Sequence, residues 1–358
     1  MTTSADPLKT LKPDLDEAEK RWLAFWSQDI VDRPCCMMWA PRDGAEPAPA
    51  PPYMAGAHGD CAAVAQQALA WGRAQYWGGE AIPCYVPSFG PDMFAAFLGC
   101  ELNFPEEGHG NSWATPCVDD WAASLPIELD PLNEWWRRMQ EFCAALAEGF
   151  AGEMLVAHLD LHSNLDALLA LRGGMGLCTD LLDCPELIDR AMADVGAAYQ
   201  AIDQGVRDAG QMTRATGWQR AYHPERTNTI QCDFAALIGP HHFNRWALPA
   251  LRDEAAYLGH CVMHYDGPEM LCHLDEVCAI PGLDCIQWQP GAGNKPFIQW
   301  MGLLKEIQAK GKAVLVHCNC EDLRTYHREL KPELVLYSCS AGSQQEADDA
   351  LQWLVDHT

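Results

Sequence analysis

Apolar and polar positions change period repeatedly along this chain. Short runs rich in β-branched, aromatic and cysteine side chains fall at 35–40, 82–86, 155–161, 229–234, 261–266, 284–288, 313–318 and 334–339. Between them lie stretches with apolar residues three and four apart, such as 132–150, 185–209, 241–258 and 297–310. The first period belongs to strands and the second to amphipathic helices. Strand and helix taking turns along a chain implies parallel strands joined by crossover helices, and eight such strands favour a closed barrel over an open sheet. The expected fold is α/β, a (β/α)8 TIM barrel with an N-terminal helical extension over 1–34, in which residues 1–358 make a single domain. Two segments fall outside the repeat. Residues 41–52, PRDGAEPAPAPP, are too proline-rich for either element and read as an exposed loop. The connection 87–131 is long and rich in glycine, proline and tryptophan, which reads as a functional loop or lid.

Charge narrows the partners. Fifty acidic residues against 24 basic ones leave a formal charge of −26, a field that repels phosphate backbones and anionic lipid surfaces. Nucleic acid is excluded as a partner on this ground. No apolar run reaches the ~20 residues of a transmembrane helix, and the polar start lacks an apolar signal region, so the expectation is a cytoplasmic protein without a membrane partner. Seventeen cysteines, an odd number without the spacing of a small secreted domain, read as mostly reduced, buried small side chains.

In a barrel of this kind chemistry sits where strands end. Six strand ends carry polar or metal-capable residues: HLDLH (158–162), QCD (231–233), MHYDG (263–267), IQWQPGAG (286–293), VHCNC (316–320) and YSCSAG (337–342). His264 and Asp266 are one residue apart, so strand geometry points both to one face, and Gly267 lets the chain turn away. With Cys339 at the end of the eighth strand they form a candidate ligand set for Zn²⁺, whose catalytic sites keep three protein ligands and an open position. His317, Cys318 and Cys320 are alternate ligands. Asp160, His162 and Asp233 are placed to protonate or bind a substrate, and Arg172, Trp218, His223, Gln287 and Trp288 to shape its pocket. A structural alternative stays open for each: His158, Asp160 and His162 pairing with one another, Arg172 and Asp233 in ion pairs, the tryptophans in the core.

The stretches 160–188, 231–259, 264–293 and 334–354, with the opening 21–42, resemble the uroporphyrinogen decarboxylase superfamily, and the similarity covers nearly the whole chain. The resemblance implies the same barrel and one of two chemistries. True uroporphyrinogen decarboxylases need no metal and hold propionates with N-terminal arginines; only Arg33 and Arg42 stand in that segment here, and Asp92 would have to replace the early-strand aspartate. The other branch consists of zinc-dependent methyltransferases that exchange methyl groups with corrinoid proteins, with a histidine-x-cysteine pair and a C-terminal cysteine on the metal. His264 and Cys339 match the first and last of these, and Asp266 takes the place of the middle cysteine. The expectation is therefore a metal-dependent methyltransferase moving a methyl group between a small substrate or thiol and a corrinoid (cobalamin) on a partner protein; a homodimer is expected only because many barrels dimerise. A decarboxylase and a non-catalytic metal- or metabolite-binding barrel are the alternatives.

Overall fold

The computed structural model describes residues 6–105 and 110–358. Thirteen strands occur among them: β1 Cys35–Pro41, β2 Gln75–Gly79, β3 Cys84–Tyr85, β4 Glu101–Asn103, β5 Trp113–Thr115, β6 Leu155–Val156, β7 Ala215–Thr216, β8 Tyr222–His223, β9 Asn228–Gln231, β10 Cys261–Asp266, β11 Leu283–Gln289, β12 Ala313–Asn319 and β13 Val335–Ser340. Seven form one sheet in the order β2-β1-β13-β12-β11-β10-β9, parallel throughout except for the β1–β2 pair. Strands β3 and β6 form a separate parallel pair. Side chains tie the segment that follows β6 to the edge of the sheet: Asn228 Nδ2 donates to Leu159 O (3.1 Å) and Asn164 Nδ2 to Gln231 O (2.8 Å). The fold is thus α/β with a mostly parallel central sheet. The backbone ladder stops at β2 and β9, so the paired strands do not themselves make a closed barrel.

Helices cover the sheet, as crossover connections require, and the strands are buried on both faces. Cys261, Val262, Met263 and Tyr265 of β10 and Cys285, Ile286 and Trp288 of β11 are all fully buried. All 17 cysteines are free, and twelve of them are buried, so they pack as small apolar groups. No helix among the described residues is long and apolar enough to cross a membrane.

Helix Leu15–Trp26 covers the end of the sheet from which the strands start. Its Trp22 Nε1 donates to Glu80 O (2.8 Å) and Trp26 Nε1 to Tyr222 O (2.8 Å), while Trp26 lies 5.2 Å from the ring of His260, just ahead of β10. Gln28, after the helix, reaches Gly311 O, just ahead of β12 (2.8 Å). The opposite end, where the strands finish, is left for the site.

Three elements differ from the sequence expectation. The long connection 87–131 contains the β4–β5 hairpin and a helix, Met93–Phe97, whose five residues are all buried; its apolar run is core. Strand β2 pairs antiparallel with β1, and its two glycines hide it from a strand pattern. The single helix expected over 241–258 is broken into Pro240–His242, a π turn at Phe243–Ala247 and Leu248–Leu258. Pro249 has no N–H to give to the preceding turn, and the wider π turn accommodates the lost bond.

Candidate metal and substrate site

Strand pleat decides which side chains meet. Gln231, His264 and Gln287 are register partners on adjacent strands, so their side chains stand side by side on one face. His264 Nδ1 is hydrogen-bonded to Gln287 Oε1, which also accepts from Gln219 Nε2 (3.3 Å). That bond fixes the ring and leaves Nε2 facing Asp266, with Asp266 Oδ2 at 4.0 Å. Gly267, at φ +88°, turns the chain away after Asp266, a conformation open to glycine at little cost.

Asp233 completes this group. One ligand atom each from Asp233, His264 and Asp266 lie within 4.8 Å of one another, and the same holds for His162, Asp166 and Asp233. Asp233 therefore belongs to two adjoining triplets. Its Oδ1 and the Oδ1 of Asp266 are buried without a hydrogen-bond partner, a costly state for a carboxylate that a bound cation relieves. Burial first, and then the neighbouring Asp166, push the Asp233 carboxyl up to about 6, although His162 and His264 pull the other way. Asp166 is held in place by the backbone N–H groups of Asp233 (2.9 Å) and Phe234 (2.8 Å).

His162 lies between two carboxylates, 3.6 Å from Asp160 and 3.6 Å from Asp166. Burial alone would favour the neutral ring; the two acids outweigh it and hold the imidazolium well above the ordinary histidine range. Asp160 also accepts from Gln231 Nε2 (2.6 Å). The His158 ring is engaged elsewhere, 2.8 Å from Asp203 of helix Pro185–Ala209, and takes no part in this network.

The other sequence candidates divide by position. Cys339 belongs to neither triplet. Ser338 lines the cavity at the strand ends, and the next residue of a strand points to the other face, so Cys339 faces the covering helices. It is fully buried there, its Sγ 3.9 Å from that of Cys320. Cys318 pairs in register with Cys339, and His317 with Ser338 on the cavity side, where Ser338 Oγ lies 2.9 Å from His317 Nδ1. Loss of hydration first, and then the neighbouring His264 and Arg220, lower the His317 pKa. Trp218 lies with its ring 5.5 Å from that of His264. Trp288 is one residue beyond the inward Gln287 and is fully buried against Tyr265 and Trp300. His223 packs on His260 and Trp26 at the far end of the strands. Arg172 is paired with Asp180 (2.6 Å).

Asp166 and Arg220 escaped the sequence reading. The four-residue spacing of Asp166 from His162 is the signal available for the first; for the second it is an arginine two residues after Trp218 in an acidic chain. The residues proposed from the resemblance to grip propionates are occupied: Arg33 is buried in a two-pronged ion pair with Glu80 (2.6 and 2.9 Å), and Arg42 donates to Leu11 O (3.2 Å). Asp92 accepts from Ala114 N (2.8 Å).

A cavity of about 270 Å³ adjoins His264, lined by Trp39, Trp218, Gln219, Arg220, His317 and Ser338. A larger one, about 680 Å³, lies between helices Pro185–Ala209 and Leu248–Leu258, away from the strand ends.

No family model matches the chain, and no curated protein matches it. Among solved structures it is similar to a methyltransferase from Methanosarcina mazei, with a TM-score of 0.61 at 12% identity, covering 95% of this chain and 98% of that one. The two share a fold over nearly their whole lengths.

Proposed function

We propose that this protein is a metal-dependent methyltransferase of the uroporphyrinogen decarboxylase type, with a single (β/α)8 barrel in which β3 and β6 fill the gap between the two edges of the sheet. The observation that carries the reading is the convergence of His264, Asp266 and Asp233 at the strand ends, with two buried carboxylate oxygens left without partners. The fold shared with a methyltransferase is consistent with it.

The metal-binding residues in this reading are His264, Asp266 and Asp233. Their one nitrogen and two carboxylates make a harder set than a thiolate site, suited to Zn²⁺ or a similar divalent ion. When bound, such an ion supplies Lewis acidity toward a thiol, hydroxyl or methoxy group of a small molecule. Gln287 holds the His264 ring so that Nε2 serves as the ligand. His162, kept protonated by Asp160 and Asp166, stands on the far side of Asp233 and supplies a proton to a leaving thiolate or alkoxide. The methyl acceptor in this proposal is a corrinoid carried by a partner protein that covers the strand ends. The decarboxylase alternative gains nothing from the structure, because Arg33 is committed to Glu80.

Elemental mass spectrometry of protein purified without added metal tests the site. One equivalent is expected in wild type and in Cys339→Ser, with loss in His264→Ala and Asp233→Asn at unchanged circular dichroism. Full retention of metal in His264→Ala would sink the proposal, and loss in Cys339→Ser alone would move the ligand set to the thiol. Formation of methylcobalamin from cob(I)alamin and small methylated thiols or ethers then reads the chemistry.

A further inference from the structure

Three of the residues that line the 270 Å³ cavity beside His264 carry hydrogen-bond donors without acceptors. Trp39 Nε1 and Trp218 Nε1 are both buried without a partner. The half-buried Arg220 guanidinium meets no carboxylate within 4.0 Å and no acceptor among the described residues; its neighbours are the faces of Trp39 (5.5 Å) and Trp71 (5.9 Å). In a chain with 50 acidic residues, an arginine near the protein interior without an acid beside it is unusual. Cation–π contact satisfies the guanidinium's charge in part, but none of its five N–H donors.

The backbone holds Arg220 in this place. It sits at φ +64°, in the left-handed region, at the tip of a tight turn in which its N–H donates to Gly217 O (2.7 Å) and Gly217 N donates to Ala221 O (2.9 Å). A non-glycine residue is uncommon there because its Cβ crowds the following carbonyl. Neighbouring Trp218 N donates to Asn228 Oδ1 (3.2 Å), which anchors the turn to β9. Gln219 links the turn to Gln287, and through it to His264.

We propose that this cavity binds an oxyanion, a carboxylate in the first instance, at the end of the substrate remote from the reacting group. Arg220 and the two indole N–H groups supply the donors, and the tryptophan faces enclose the carbon chain. The placement of the reacting end at His264 rests on the metal-site reading above; the binding of the anion does not.

Calorimetric titration of metal-stripped protein with 3-methoxypropionate, and with its uncharged amide as control, tests this. Wild type is expected to prefer the anion by about ten-fold or more, the range of a charged hydrogen bond. Arg220→Met, checked for an unchanged melting temperature, should lose that preference, and Arg220→Lys should restore part of it. Methanesulfonate and methylphosphonate titrated in parallel show which oxyanion the donors fit best. His264→Ala should keep anion binding even where it loses metal, which separates this site from the metal site. No binding of any of the three anions to wild type, equal binding of the amide, or undiminished binding by Arg220→Met overturns the proposal.

Discussion

Glu254 shows what burial does to a single carboxyl. It is 5% exposed, accepts from Ser163 Oγ (2.6 Å) and Asn164 Nδ2 (3.1 Å), and leaves Oε2 without a partner. Burial raises its pKa to about 7, with the two hydrogen bonds pulling the other way. A folded-state pKa above the unfolded value means that the folded protein binds the extra proton. The stability this contributes is complete below about pH 4.5 and is lost as pH rises to about 7, a loss on the order of 3 kcal/mol. Glu254→Gln keeps an acceptor for Ser163 and removes the charge. It should therefore raise the melting temperature relative to wild type at pH 8 and change it little at pH 4.5. An equal difference at both values would show that the carboxyl has the same pKa in the folded and unfolded chain. The residue scale is also where sequence was least informative. His264 and Asp266 were legible because alternation on one strand fixes their common face. Asp233 is legible as a polar residue just past a strand, but its partners lie on β10, in the loop after β6 and in the helix Asn164–Arg172, and the pleat of β13 turns Cys339 away from its cavity-side neighbour Ser338.

At the scale of elements, β11 separates the two faces cleanly. Gln287 reaches His264, whereas Trp288, fully buried, packs on Tyr265 and Trp300 beneath the covering helices. Trp288→Ala should cost about 3–5 kcal/mol in urea unfolding, the range for emptying a buried aromatic site. A loss under 1 kcal/mol would mean that the helices close the gap. Elements with long, regular apolar patterns could be read from sequence: β10 and helix Pro185–Ala209 begin and end where expected. Short or glycine-bearing ones could not. The expected strand 155–161 keeps only Leu155–Val156, because the chain leaves the ladder there and its polar residues turn to neighbouring elements. Periodicity registers only contacts that recur along a segment, and β2, the β4–β5 hairpin and the π turn each depend on a partner distant in sequence or on one local break.

The whole molecule has two ends with different tasks. Finishing strands carry the donors and acids, and starting strands are covered by helix Leu15–Trp26. Among the described residues, the long-range bonds that this helix and its exit make, to Glu80, Arg214, Tyr222 and Gly311, all involve segments later in the chain. This helix is thus the last to find its place, and its Trp26 stays uncovered until the segment that carries Tyr222, 196 residues further along, is in position. Contacts of such sequence separation form late because loop closure must precede them. Pulse-labelled hydrogen exchange during refolding should find the amides of Leu15–Trp26 protected after those of β10 and β11; protection of the helix first would refute this order. Before that closure Trp22, Phe25 and Trp26 make an exposed apolar surface, and the finished fold seals it against its own strands.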